Sequence, residues 1–168
     1  FIKQSRLAPV KKMTIPCLEP NAALLTSRLN KFITKEIGLS FAKRYFIVDS
    51  EIVRAQIQKE SYGFNTFTGV RVGEIQAWTE KKDWYWVEGS KNISDIISRG
   101  CDPTELGPDS GWQNGPAFLE SSEEEWPLKQ TFSGVDLPDI VRTPGNHVMT
   151  VHISDGTPIS EIIDIQRY

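Results

Sequence analysis

The chain has 168 residues, of which 39% are hydrophobic and 24% charged, a composition typical of a globular domain. No run approaches the roughly 18 apolar residues of a membrane helix, so we expect no membrane partner. Cys17 and Cys101 are too few for a disulfide framework. The net charge of −3 hides an asymmetry, because residues 1–44 hold nine basic and two acidic residues. This basic quarter suits a nucleic-acid backbone, and equally a solvated face balanced by its own acidic neighbours.

The first elements are an extended arm and a helix. Residues 1–15 predict an edge strand at best, because prolines bracket their second half. From Asn21 to Ile37 the apolar residues recur at helical spacing, with Pro20 at a first helical position and Gly38 at the end. This arrangement places Glu19 at the mouth of the helix. We expect one core face on this helix, formed by Leu25, Leu29, Phe32, Ile33 and Ile37.

A buried strand and a short helix follow. Tyr45–Val48 shows no polar alternation, which predicts a strand buried on both faces. Asp49 stands at its carboxyl end, and Asp49 with Ser50 offers an N-cap for a short helix that carries Val53 and Ile57. Ligands of open α/β sheets collect at such strand ends. Asp49 is therefore either a helix cap or a residue that binds a metal, and both interpretations stay open at this point.

The second half of the core repeats the pattern of helix and strand. A helix is predicted across Thr66–Trp78, a strand across Trp84–Val87 and a capped helical turn across Asn92–Gly100. Beyond Gly100 the sequence is rich in Pro, Gly and Asp, and after residue 128 it is polar with weak apolar clusters. The expected core residues of the helix are Phe67, Val70, Val72, Ile75 and Trp78.

Familiar catalytic motifs are absent, including the phosphate-binding glycine loops and the zinc protease motif. His147 and His152 have no cysteine pair nearby, which favours surface histidines over a zinc site. What remains is three carboxylates in matching contexts, Glu19, Asp49 and Asp95. Brought to one end of a sheet, such carboxylates can hold two Mg²⁺ ions for phosphodiester cleavage. Spacing alone does not identify such a site, because acidic residues are common.

Longer sequence stretches are more informative than the spacing. Leu18–Ala23, Phe46–Ser50 and Trp86–Gly100 occur in this order, with Ile57–Phe67 and Arg71–Gln76 between the last two. Together with Trp112–Pro116 and Glu125–Pro127, they resemble the ribonuclease H-like region of the Pol polyprotein of BEL/Pao-type retrotransposons. The resemblance covers roughly residues 5–128.

The resemblance implies an α/β, ribonuclease H-like fold, with a mixed five-stranded sheet and flanking helices. By motif, Glu19, Asp49 and Asp95 match the acids of the first helix, the central parallel strand and a late helix. They would bind Mg²⁺, or Mn²⁺ in its place. Arg99 matches the basic residue after the last acid, as a phosphate contact or as a cap of its helix C-terminus. Lys11, Lys12 and Arg28 are further candidates for phosphate contacts.

Two departures from the family pattern matter. The first strand and its Asp would precede residues 1–10, which resemble the third strand, so we expect a sheet that lacks its first two strands. Pro20 replaces a usually apolar residue and is expected to turn Glu19 away from the site. The predicted organisation is a truncated ribonuclease H-like core at 1–100, a Pro/Gly/Trp-rich extension at 101–128, and a linker at 129–168 toward an absent integrase region.

The implied function is hydrolysis of the RNA strand of RNA–DNA hybrids, recognised by backbone shape and 2′-hydroxyl contacts. Neighbouring reverse transcriptase and integrase regions of the same polyprotein would be the protein partners. The expected location is intracellular, in cytoplasmic particles and the nucleus. The alternative is a catalytically inactive fragment or a structural connection domain, and we expect this chain alone to be inactive.

Overall fold

The computed structural model describes residues 13–38, 41–98, 100–131, 134, 135 and 137. This part of the chain is mixed helix and strand, with a small parallel sheet of two strands. Of its helices, none is long and apolar enough to cross a membrane. The elements are α1 (Ile15–Ile37), β1 (Phe46–Val48), α2 (Glu51–Gln58), α3 (Thr66–Trp78), β2 (Trp84–Trp86), α4 (Asp95–Ser98) and α5 (Gly111–Asn114), and short 3₁₀ turns connect several of them.

The predicted bounds of α3, and those of both strands to within one residue, are confirmed, whereas the predicted start of α1 is wrong. The helix begins at Ile15, so Pro20 lies inside it rather than at its first position. Pro16 occupies the first turn, where a missing N–H costs nothing. Pro20 removes one internal backbone hydrogen bond, and the helix continues through it. The helix ends as predicted, at Gly38 with a left-handed φ of 66°.

The core lies where three helices meet one face of the sheet. The rings of Phe46 and Trp84 stack with centroids 5.0 Å apart, and the two residues are register partners in β1 and β2. Trp84 is fully buried, and its indole N–H donates to Thr79 Oγ1 at 2.8 Å. The one hydrogen-bond donor on this buried side chain therefore has an acceptor. The core cluster consists of Ala23, Leu24, Phe46, Val53, Ile57, Ile75 and Trp84.

The face that α1 turns to the core differs from the predicted one. The helix buries Pro20, Ala23, Leu24 and Ser27, while Leu25, Leu29 and Ile33 are half-buried. Phe32 and Ile37 are 61% and 50% exposed, so their predicted core role is wrong. Apolar residues follow two faces of this helix, and small side chains at Ala23 and Ser27 favour close packing on one of them. In α3, Val72 and Ile75 are buried as predicted, whereas Val70 and Trp78 are exposed.

The extension after residue 100 packs against the sheet. Trp126 contacts Tyr45 edge-on with ring centroids 5.0 Å apart, and Tyr45 in turn contacts Tyr85 at 5.3 Å. Lys129 and Trp86 exchange two backbone hydrogen bonds of 2.7 and 2.9 Å, which form an antiparallel bridge at the outer edge of β2. Lys129, expected to begin a linker, therefore pairs with the sheet. The domain boundaries themselves stay a prediction.

One contact between α3 and the turn before it leaves no room for a side chain. A methyl group at Gly69 would lie 2.8 Å from the backbone oxygen of Ser61, and Gly73 would place one 3.4 Å from the Ser61 hydroxyl. The backbone of the Ser61–Gly63 turn thus reaches α3 only because Gly69 lacks a Cβ.

We predict that Gly69→Ala destabilises the protein. Alanine in a helix normally gains about 1 kcal/mol over glycine. Here the clash with Ser61 outweighs that gain, so we expect the free energy of unfolding to fall by about 1–3 kcal/mol. Denaturant unfolding measures the difference. Gly63→Ala is the control, because its methyl group would meet nothing within 4 Å. A Gly69→Ala protein more stable than wild type would contradict the close approach.

The core also contains an arginine, two of whose nitrogens have no hydrogen-bond partner among the described residues. Arg54 on α2 is 2% exposed, and its Nε and one terminal nitrogen are sealed from solvent without a hydrogen-bond partner. Five consecutive residues of α2, 53–57, are buried, which keeps the side chain from reaching water. Burial lowers the pKa of the Arg54 guanidinium to about 10, so it remains charged at neutral pH.

We therefore predict that Arg54→Met stabilises the fold, by about 1–4 kcal/mol, because it removes a buried charge that forms no ion pair with the described residues. The matched control is Arg71→Met, which deletes an arginine with two good hydrogen bonds and is expected to destabilise. Thermal and denaturant unfolding measure the stability of both variants relative to wild type. Equal destabilisation by the two substitutions would show that Arg54 has a favourable partner.

Candidate functional site at the carboxyl edge of the sheet

The sheet brings two loops of the chain to one edge. β1 and β2 are parallel, with Val48 opposite Trp86, and the N–H of Val87 continues the ladder to the carbonyl of Val48 at 2.9 Å. Parallel strands end at the same edge of a sheet. Asp49, which follows β1, and the segment between β2 and Asp95 therefore both begin at this carboxyl edge. Two shallow grooves of about 210 and 400 Å³ lie at the opposite, amino edge, lined by residues of 41–46 and 76–85.

The helix cap at this edge is Ser50, so Asp49 is not the cap. The Ser50 hydroxyl accepts a hydrogen bond from the backbone N–H of Val53 at 3.3 Å. Asp49 is exposed, and its backbone oxygen accepts a hydrogen bond from the Trp86 indole at 2.8 Å. The carboxylate of Asp49 is thus on the surface, while its backbone is fixed to the neighbouring strand.

Glu19 reaches the same place from α1. Its Oε2 accepts a hydrogen bond from the Ser50 hydroxyl at 2.6 Å, although the two residues are 31 positions apart. Pro20 therefore does not turn Glu19 away from the sheet edge, contrary to expectation. Glu19 lies within α1 rather than at its mouth, because the helix begins at Ile15. The structure brings Glu19 beside the residue that follows Asp49.

Asp95 begins the short helix α4 and is half-buried. A turn precedes α4, and in it the Asn92 side chain accepts a hydrogen bond from the backbone N–H of Ser94 at 3.2 Å. In residues 13–38, 41–98 and 100–131, no three His, Cys, Asp or Glu side chains group closely enough to hold a metal ion. The role of Asp95 as a third ligand stays a prediction.

The donor set has the chemistry that a magnesium ion requires. Mg²⁺ takes oxygen ligands and is commonly held by one or two carboxylates together with substrate phosphates and water. Glu19 and Asp49 supply two carboxylates at one edge, and Glu19 is hydrogen-bonded to Ser50, the residue that follows Asp49. The chemistry of these two side chains suits a magnesium ion that is completed by its substrate, and their joint binding of such an ion stays a prediction.

The predicted phosphate contacts have different outcomes. Lys11, Lys12 and Arg99 lie outside the described residues. The guanidinium of Arg28 forms a bidentate pair with Glu74 of α3, with N–O distances of 2.6 and 2.8 Å. The pair raises the pKa of Arg28 and lowers that of Glu74, mainly through its hydrogen bonds. Arg28 thus has an acidic partner on the protein, and its phosphate role stays a prediction.

Arg71 of α3 is a basic residue near this edge that sequence analysis did not single out. Its Nε donates to Asn21 Oδ1 at 2.6 Å, and a terminal nitrogen donates to the carbonyl of Phe67 at 2.8 Å. The guanidinium lies 3.5 Å from the centre of the Phe67 ring. Asn21 is two residues from Glu19 on α1. The spacing of Phe67 and Arg71 on one helical face was the available signal.

We predict that Arg28→Ala lowers the free energy of unfolding at pH 7 by about 0.5–1 kcal/mol, as expected for a largely exposed bidentate pair. Because Arg28 lowers the pKa of Glu74, this contribution is present above the ordinary carboxylate pKa of about 4.3 and is lost as the pH falls through the folded value. Unfolding measured from pH 7 to pH 2 tests this. Lys35→Ala is the control, because Lys35 is 80% exposed and contacts only Glu36, at 3.6 Å. An effect of Arg28→Ala that is independent of pH would contradict the assignment.

Comparison with known proteins gives one match. Residues 1–50 match the family model of the Pao retrotransposon-like RNaseH-like domain. The matched segment contains α1 up to β1, with both Glu19 and Asp49. The comparison with curated proteins finds no match, and neither does the comparison with solved structures. The match supports a Pao-type, ribonuclease H-like region over these fifty residues.

Proposed function

We propose that the chain is a ribonuclease H-like module of a retrotransposon Pol polyprotein that hydrolyses the RNA strand of RNA–DNA hybrids. The observation that carries the proposal is the hydrogen bond between Glu19 and Ser50, which brings Glu19 next to the residue that follows Asp49 at the carboxyl edge of the sheet. Both acids lie within the fifty residues that match the Pao-type family model. Reverse transcriptase and integrase regions of the same polyprotein are the proposed neighbours, in cytoplasmic particles and the nucleus.

Each proposed site residue has a distinct task. The carboxylates of Glu19 and Asp49 would hold Mg²⁺, or Mn²⁺, with Asp95, from the segment after β2, as the proposed third ligand. When bound, such ions activate the attacking water and stabilise the leaving oxygen of a phosphodiester. The backbone of Asp49 is fixed by the Trp86 indole, which limits the movement of this acid during the reaction. Arg71, oriented by Asn21 and Phe67, is placed to contact a backbone phosphate with its remaining N–H donors.

Hydrolysis of a labelled RNA–DNA hybrid in Mg²⁺ by the Pol segment that contains this chain tests the proposal. We predict that Asp49→Asn abolishes cleavage, because an amide is a poor ligand for Mg²⁺. The matched control is Asp83→Asn, at the amino edge of the sheet, which should leave cleavage unchanged. Cleavage that survives Asp49→Asn would contradict the metal assignment. Hybrid binding without any cleavage would favour a structural connection module instead.

A further inference from the structure

The hydroxyl of Ser50 makes two hydrogen bonds with different consequences. It accepts from the N–H of Val53 at 3.3 Å, which caps α2. It donates to Oε2 of Glu19 at 2.6 Å, across 31 residues of chain. A serine hydroxyl has one proton and two lone pairs, so both bonds form at once. The bond to the carboxylate is short and charge-assisted, which makes it the stronger of the two.

The cap alone does not explain the second bond. Helix capping needs only a side-chain acceptor, which Asp or Asn would also supply at this position. Donation to Glu19 needs a proton on the side chain, which an aspartate lacks at neutral pH. Glu19 has three rotatable side-chain bonds, and Ser50 is the partner that the described residues provide for its carboxylate. Without this donor, the carboxylate would be free to move away from the start of α2.

We propose that Ser50 is a positioning residue, which holds the carboxylate of Glu19 at the sheet edge that also carries Asp49 and thereby sets the affinity of the site for a divalent cation. The inference rests on the proposed function, because it assumes that these two acids bind the ion. It assigns to Ser50 a role that the family match does not describe. Partners that orient metal-binding side chains in this way commonly change metal affinity by 10- to 100-fold.

Mn²⁺ binding, measured by calorimetry on the whole chain, tests the proposal without an activity assay. Ser50→Ala should weaken Mn²⁺ binding about tenfold, and Ser50→Thr, which keeps the hydroxyl, should stay within about twofold of wild type. Ser110→Ala is the matched control, since the Ser110 hydroxyl caps α5 with a bond of the same 3.3 Å length. This control should leave Mn²⁺ affinity unchanged.

A second measurement examines the Ser50–Glu19 bond without metal. The unfolding midpoints of Ser50→Ala, Glu19→Ala and the double variant form a cycle. We expect the double variant to lose less than the sum of the single losses, because each single variant already breaks the bond. Additive losses would overturn the inference.

The outcomes separate the two proposals. Wild-type Mn²⁺ binding that Ser50→Ala leaves unchanged overturns the positioning role and leaves the proposed function standing. A wild-type chain that binds no Mn²⁺ contradicts the proposed metal site, and with it the effect of Ser50 on affinity. In that case the unfolding cycle still decides whether Ser50 holds Glu19. Loss of affinity in both Ser50→Ala and Ser50→Thr would overturn the role of the hydroxyl.

Discussion

The parallel pairing of β1 with β2 is the constraint on which the rest of the structure depends. Phe46 and Trp84 are register partners, and their stacked rings form the centre of the core. Because the two strands run in the same direction, the residues that follow them emerge at one edge. The Trp86 indole then donates to the backbone of Asp49, so the last residue of one strand fixes the first residue beyond the other. The candidate site is a consequence of this pairing.

The position of Glu19 depends on how α1 lies against α3. Asn21, in the first half of α1, bonds to Arg71 in the first half of α3. Asn30, further along α1, bonds to Trp78 at the end of α3. The helices therefore run in the same direction, and the Arg28–Glu74 pair lies between these contacts. Because α1 packs against α3 in this direction, the first turns of α1 lie at the carboxyl edge of the sheet. Ser50 then connects Glu19 to the start of α2.

The local sequence pattern correctly predicted the helix α3 and both strands. The helix Thr66–Trp78 has clear turn signals on both sides, and its bounds agree with the structure. The aromatic and β-branched runs predicted both strands. The start of α1 was missed because Pro20 is a plausible first residue, and the chain tolerates it inside the helix. The buried face of α1 could not be chosen from periodicity, because apolar residues follow two of its faces and tertiary packing selects one.

The sequence indicated residues for the candidate site but not their contacts, and the roles of these residues stay a prediction. The sequence indicated Glu19 and Asp49 as candidates, and both lie at the carboxyl edge of the sheet. The hydrogen bond between Glu19 and Ser50 joins residues 31 positions apart, and no local rule predicts it. The bond between Arg71 and Asn21 likewise joins residues 50 positions apart, and only the contact of Arg71 with Phe67 had a local signal in the sequence. No sequence signal predicted that Arg54 would be buried with two nitrogens that have no partner among the described residues.

The central claim is that Glu19 and Asp49 bind one divalent cation together. The most direct measurement is nuclear magnetic resonance of the chain during titration with paramagnetic Mn²⁺. The account predicts that the backbone amide signals of Glu19, Asp49 and Ser50 broaden first and in parallel, while that of Asp83 at the opposite edge does not. Broadening that is centred on the acidic run Glu123–Glu125, or that affects Asp49 without Glu19, would contradict a shared site.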